Sequence, residues 1–259
     1  MSAIDKKINV LVVDDSSLMR RIIIDILSSH PRINIVGFAM NGKIAISQLE
    51  KLKPDVITLD VEMPFMNGLE TLKEIRKIRP TPTIMLSSLT EAGAEVTIEA
   101  LELGAIDFIQ KPSSNNPEEL RKIGDEIISK VIMAAETGLA RMHFKRKNVS
   151  PEIPTVKTTP KASRVKTVVI ATSTGGPQAL KEVLPYIPPD LPAQMLIVQH
   201  MPPKFTDMLA QRLDKICPFT VKEAKDGDAI EARRALLAPG NYHMVVEDPY
   251  KVRLNQEPT

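Results

Sequence analysis

INVLVVDDSSLMRRIIIDIL, residues 8–27, changes period halfway along. INVLVV is an almost unbroken apolar run, as expected of a strand buried on both faces. It stops at Asp14 and Asp15. Beyond them Leu18, Ile22 and Ile26 recur at helical spacing, so the stretch reads as one strand passing into one helix. The same unit returns along the chain. INIVGFA (33–39) precedes a helix over 42–52, VITLD (56–60) precedes GLETLKEIRKI (68–78), and TIMLSS (83–88) precedes a helix over about 91–103. DFIQ (107–110) is the fifth strand. A last helix starts at Asn116-Pro117-Glu118-Glu119, where Asn caps, Pro suits the first turn and Glu119 closes a capping box. Ile123, Ile127, Val131 and Ile132 then line one face. Five strands alternating with five helices imply an α/β fold, a (βα)5 doubly wound parallel sheet. Its site lies at the carboxyl ends of the strands.

Those ends carry chemistry. Asp14 and Asp15 end the first strand, Asp60 the third and Ser87 the fourth, and Lys111 follows the fifth. Converging strand ends predict one pocket holding three carboxylates, a hydroxyl and an ammonium. Crowded carboxylates raise one another's pKa unless a cation joins them. Mg²⁺ takes several oxygen ligands and suits such a pocket. An incoming phosphoryl group would meet Asp60 as nucleophile, with Ser87 donating to a phosphoryl oxygen and Lys111 offsetting charge.

The totals fit two domains. The chain has 259 residues, 43% hydrophobic and 25% charged, and a single cysteine, Cys217, which rules out a disulfide framework. No signal-peptide layout and no membrane-length apolar run is present, so the expected location is the cytoplasm, with the protein not itself membrane-embedded. The net charge of +2 is uneven: Arg141 to Lys166 holds eight Lys/Arg against Glu152 alone, a balance of +7, leaving −5 elsewhere. That tract also contains Pro151, Pro154 and Pro160 and reads as a solvated linker. Residues 1–135 are expected to form one domain, 136–166 a helix end and this linker, and 167–259 a second domain. Nucleic acid is not expected as a partner, because no helix-turn-helix pattern follows the linker and the basic tract lacks interleaved aromatics.

The second α/β pattern opens on VVIATSTGGPQAL (168–180). It lacks the Lys-Ser/Thr of a Walker loop and the spacing of a dinucleotide fingerprint. A strand, then Ser173, then Gly-Gly into a helix can expose a nucleophilic hydroxyl beside unpaired N–H groups. The bland alternative is that Ser173 or Thr174 only caps the helix. His200 ends the next strand, QMLIVQH. In a right-handed βαβ unit the two strand ends lie on the same side, which lets Ser173 and His200 meet as nucleophile and base. His243, in APGNYHM, is the rival base, and Cys217 reads as packing.

LVVDDS, PDVITLDVEMP, MNG, MLSS and the late Lys111-Pro112 resemble the receiver domains of bacterial response regulators over residues 7 to about 135. The resemblance implies phosphorylation of Asp60 by a histidine kinase. It implies Mg²⁺ held by Asp15, Asp60 and the backbone carbonyl of Glu62, with Asp14 close by. Ser87, Phe108 and Lys111 would be the switch residues, and the Lys111–Pro112 bond is often cis in that family.

VIATSTGGPQAL, LIVQHMPP and APGNYHM resemble the chemotaxis protein-glutamate methylesterases, in which receiver, linker and esterase come in this order. That implies hydrolysis of glutamate γ-methyl esters on methylated chemoreceptors, with release of methanol, deamidation of receptor glutamines, and no cofactor for the esterase. Ser173 would be the nucleophile and His200 the base, with Thr174 and the following backbone on the oxyanion side. The unphosphorylated receiver would cover the esterase face. Ala171-Thr172 stands where the family usually has Gly-Ala. The family's catalytic Asp lies in a glycine-rich segment not found before Thr259, so the sequence is expected to be truncated and the esterase domain incomplete. If the chain truly ended there, the competing expectation would be a phospho-receiver without catalysis.

Overall fold

A computed structural model describes residues 7–88, 91–111, 117–143, 166–248 and 250–257. The Lys111–Pro112 bond, the Asn116 cap and most of the basic tract lie outside these residues. The chain divides into two compact units, Met1–Lys145 and Arg146–Thr259.

In the first unit the elements run β1 (Ile8–Val13), α1 (Ser17–Ser28), β2 (Ile33–Ala39), α2 (Gly42–Leu52), β3 (Val56–Asp60), α3 (Gly68–Ile78), β4 (Thr83–Ser87), α4 (Glu91–Glu102), β5 (Asp107–Gln110) and α5 (Pro117–His143). The sheet order is β2-β1-β3-β4-β5, every pair parallel. Apolar residues of β1, β3 and β4 are buried, as continuous apolar runs in a doubly covered sheet must be. Val10, Val12, Val56, Ile84 and Leu86 form one core with Ile23 and Leu27 of α1 and Ile127 and Val131 of α5. Leu11 turns to the other face, toward Leu52 of α2.

The structure corrects the phase of α1. The expected stripe was Leu18, Ile22 and Ile26, but the fully buried residues are Ile23 and Leu27, and Leu18 is 59% exposed. Ile22 and Ile26 sit half-buried beside Leu120, Ile123 and Ile127 of α5. The helix thus serves two partners, the sheet and α5, through neighbouring faces.

Within this core the Thr58 hydroxyl is buried and has no hydrogen-bond partner among the described residues. A buried hydroxyl without a partner costs free energy that an apolar group of the same shape does not. Thr58→Val is therefore expected to raise stability by about 1 kcal/mol, read as a higher urea midpoint. A lower midpoint would show that the hydroxyl has a partner.

The second unit runs β6 (Lys166–Thr172), α6 (Gly176–Val183), a single 3-10 turn, β7 (Ala193–Gln199), α7 (Phe205–Asp214), β8 (Thr220–Glu223), β9 (Arg234–Leu237), β10 (His243–Asp248) and β11 (Lys251–Asn255). Four strands make a parallel sheet, β6-β7-β9-β8, while β10 and β11 pair antiparallel as a separate ribbon. Among the described residues no helix is long and apolar enough to cross a membrane.

Candidate functional site

Parallel pairing brings the ends of β1, β3, β4 and β5 to one edge of the first sheet, and the acids collect there. Asp14, Asp15 and Asp60 each offer a carboxylate oxygen, all within 4.8 Å of one another. Lys111 Nζ lies 2.7 Å from Asp60 Oδ2 and 3.0 Å from Asp14 Oδ2. The other oxygens accept from the backbone. Ser16 N–H donates to Asp14 Oδ1 at 2.9 Å, and Glu62 N–H to Asp60 Oδ1 at 3.2 Å. Asp14 and Asp60 are buried and Asp15 is exposed.

Burial sets the electrostatics. Loss of water pushes Asp60 up to about 6; Lys111 opposes the shift and the Asp14 charge adds to it. Burial likewise raises Asp14 against the pull of Lys111. Burial would lower Lys111, but the two carboxylates outweigh it and hold the ammonium charged. Among the described residues Lys111 is the one cation paired with these three carboxylates, which leaves the cluster short of positive charge. Its donors are hard carboxylate oxygens, the kind that bind Mg²⁺, so the residues fit that ion.

Gly68, at the start of α3, shows how tightly this edge is built. Its N–H donates to Val61 O at 2.9 Å. A Cβ there would lie 2.3 Å from Asp60 O and 2.9 Å from Val61 Cα. These are main-chain atoms at the end of β3 and just beyond it, so they cannot swing aside as a side chain would. Gly68→Ala is expected to cost about 2 kcal/mol or more and to weaken Mg²⁺ binding. Thermal unfolding and a metal titration check it, and a variant matching wild type in both would contradict this account.

Of the expected switch residues, Ser87 contacts α4 and Phe108 contacts α5. The buried Ser87 hydroxyl contacts Ser88 O, Gly93 O and the Thr97 hydroxyl, all on the α4 side. Phe108 is buried, with Lys130 Nζ 5.5 Å from its ring centre. Of Glu62, the backbone N–H touches Asp60 and the side chain is exposed.

In the second unit β6 and β7 pair in parallel through Thr172 opposite Gln199. The next residues, Ser173 and His200, leave the sheet side by side, and His200 N–H donates to Thr172 O at 3.1 Å. Both are exposed. The capping alternative is not realised: the N-cap of α6 is Gly175, and no side chain caps that helix. The two glycines have different reasons. Gly175 has φ 75°, a left-handed conformation that favours glycine, whereas a Cβ on Gly176 would lie 1.9 Å from Gln199 Oε1.

Gln199 is the residue that sequence reasoning missed. Its buried amide donates to Ser173 O at 3.0 Å and His200 O at 3.2 Å, and accepts from Thr172 Oγ1 at 2.7 Å. One side chain thereby ties both strand ends together. The threonine that departs from the family's usual Ala supplies one of its bonds. The only sequence signal was a polar residue closing an apolar strand. Gly240 adds a second constraint, because a Cβ there would lie 2.5 Å from Met201 O and Pro203 N, in the loop that follows His200.

No carboxylate contacts the His200 ring among the described residues. Asp207 accepts from Gln211, Asp214 from Val221 N–H, Asp226 from Leu254 N–H, and Asp228 from Lys222 and Lys225 N–H, while Glu247 pairs with Arg253. His243 begins β10, on the separate ribbon. Cys217 is a free, half-buried cysteine. Burial, with the Asp214 charge, pushes its thiol up to about 11, which leaves it protonated and a poor nucleophile at neutral pH.

The family model described as "Response regulator receiver domain" matches residues 10–124, and that described as "CheB methylesterase" matches 168–259. A protein-glutamate methylesterase/protein-glutamine glutaminase of Geobacillus kaustophilus is 46% identical over 256 residues, covering 98% of this chain and 73% of that protein. The protein of the same name from Pyrococcus horikoshii is 47% identical, covering 95% of this chain and 67% of its own length. The crystal structure of the response regulator domain of Thermotoga maritima CheB is 50% identical over 51% of this chain and 98% of its own, with a TM-score of 0.47.

Proposed function

The chain belongs to the protein-glutamate methylesterase/protein-glutamine glutaminase family, and on that premise we propose that it is a phosphorylation-activated methylesterase of bacterial chemotaxis. It hydrolyses glutamate γ-methyl esters on chemoreceptors to glutamate and methanol, and deamidates receptor glutamines. Residues 1–135 act as the receiver, 136–166 as helix end and linker, and 167–259 as the catalytic part. A chemotaxis histidine kinase in the cytoplasm is the phosphodonor.

In the receiver, the Asp60 carboxylate attacks the phosphorus of the donor, and the bond from phosphorus to the donor histidine breaks. Asp14, Asp15, Asp60 and the Glu62 carbonyl would hold Mg²⁺, which when bound would neutralise charge on the phosphoryl oxygens. Lys111 then pairs with the phosphoryl group, and Ser87 and Phe108 act as the switch. Phosphorylation shifts a population of existing conformations and adds no chemistry to the esterase.

The observation that supports the esterase reading is the register of β6 on β7, which pairs Thr172 with Gln199, the residues just before Ser173 and His200. His200 takes the Ser173 proton as Oγ attacks the ester carbonyl, and gives it to the departing methoxide. Water then cleaves the acyl-enzyme with His200 again as base. The N–H groups around Thr174 at the uncapped start of α6 receive the oxyanion. Receptor fragments carrying methyl-esterified glutamates, and others carrying glutamines in their place, test the two activities separately. The first should release methanol and the second ammonia.

A second reading is a phospho-receiver without catalysis. The finding that favours it is the His200 ring without a carboxylate contact among the described residues, since loss of that support in a triad hydrolase costs about 10⁴ in rate. Neither methanol nor ammonia from a chain labelled at Asp60 would select it.

A further inference from the structure

We infer that Thr97 is a latch on Ser87, a positioning residue that sets how readily the Asp60 site accepts a phosphoryl group. This rests on reading Asp60 as acceptor and Ser87 as the hydroxyl that meets the phosphoryl oxygens. Ser87 is fully buried at the end of β4, and its backbone carbonyl accepts from Lys111 N–H at 2.8 Å. Its backbone is therefore fixed beside the site, and only its side chain is left to choose a direction.

That direction is set by α4. Thr97, itself fully buried, lies with Oγ1 2.7 Å from Ser87 Oγ and 2.6 Å from Gly93 O. Ser87 Oγ also lies 3.2 Å from Gly93 O and from Ser88 O. The two hydroxyls have one proton each. Thr97 gives its proton to Gly93 O or to Ser87 Oγ, and Ser87 gives its own to Thr97 Oγ1 or a neighbouring carbonyl. Whenever one hydroxyl donates to the other, the Ser87–Thr97 bond holds the serine toward α4, and at 2.7 Å it is shorter than the Ser87 Oγ contacts to Ser88 O and Gly93 O. To reach a phosphoryl oxygen on Asp60, Ser87 must rotate and break that bond. Thr97 keeps Gly93 O as partner after Ser87 leaves, so its own burial stays satisfied. The same rotation removes a tether between β4 and the first turns of α4, which is how occupancy of Asp60 would be felt by that helix.

Removing the Thr97 hydroxyl lowers the cost of rotation by about one neutral hydrogen bond. Beryllofluoride with Mg²⁺, a mimic of an acyl phosphate, is the probe, titrated into the full chain. Thr97→Val should bind it about fivefold more tightly than wild type, equivalent to about 1 kcal/mol. Thr97→Ser keeps the hydroxyl and should bind as wild type does. Mg²⁺ alone should bind equally to all three, which a general loosening of the site would not give. In a Ser87→Ala background Thr97→Val should change nothing, since the latched group is gone. Unchanged or weaker beryllofluoride binding by Thr97→Val with Ser87 present would overturn the latch. So would the same gain without Ser87. If Thr97→Val fails to fold, Thr97→Ala in the same cycle decides. Failure of wild type to bind beryllofluoride, or binding that survives Asp60→Asn, would overturn the site reading, and the latch with it.

Discussion

Asp60→Asn is expected to accept no phosphoryl group from the kinase while keeping the native fold. The residue is 2% exposed at the end of a central strand, and asparagine matches it in shape. What it lacks is the anionic oxygen that attacks phosphorus. The fold survives because Lys111 still has Asp14 at 3.0 Å. A transfer assay with labelled kinase should show background labelling only, and full labelling would move the acceptor elsewhere. The substitution also has a pH signature. With a folded pKa of about 6 against an ordinary 3.8, Asp60 keeps a proton in the folded chain that the unfolded chain has already released. Without Mg²⁺, wild-type stability should therefore fall as pH rises from about 4 to about 6, by the linkage between proton binding and folding. The asparagine variant lacks this group, so its stability relative to wild type should improve across that window. Urea midpoints at both ends check it.

Ser173→Ala is expected to lower ester hydrolysis by about 10⁴-fold or more, because a hydrolase that loses its nucleophile keeps only the contribution of its oxyanion donors and substrate binding. Stability should stay within about 0.5 kcal/mol, since Ser173 is exposed and caps no helix. Phosphorylation of Asp60 should be untouched, as the two residues belong to different compact units. Methanol release measured beside phosphoryl labelling on the same sample separates these effects. Unchanged hydrolysis would place the nucleophile elsewhere.

Much of the fold could be read from runs such as LVV in β1 and VITLD in β3, because a strand covered on both faces is mostly apolar. The phase of α1 could not. Ile22, Ile23 and Ile24 are consecutive, so apolar spacing alone fits more than one stripe, and packing against both the sheet and α5 decided between them. The carboxylate cluster was legible because parallel strands end together, a property of topology. The direction of the Ser87 hydroxyl was not, because its partner Thr97 is ten residues away on a helix whose contacts no local pattern specifies. The parallel pairing of β6 with β7 followed from chirality, whereas the bonds by which Gln199 ties the backbones of Ser173 and His200 together depend on side-chain geometry inside the sheet.

The central claim is an esterase gated by phosphorylation, and methanol release from methylated receptor membranes tests it most directly. The chain would be assayed with and without a small-molecule phosphodonor and Mg²⁺, beside Asp60→Asn and Ser173→Ala. The account predicts release that rises with the phosphodonor, stays at the unstimulated level in Asp60→Asn, and vanishes in Ser173→Ala. Wild-type chain carrying phosphate on Asp60 yet releasing no methanol would contradict it.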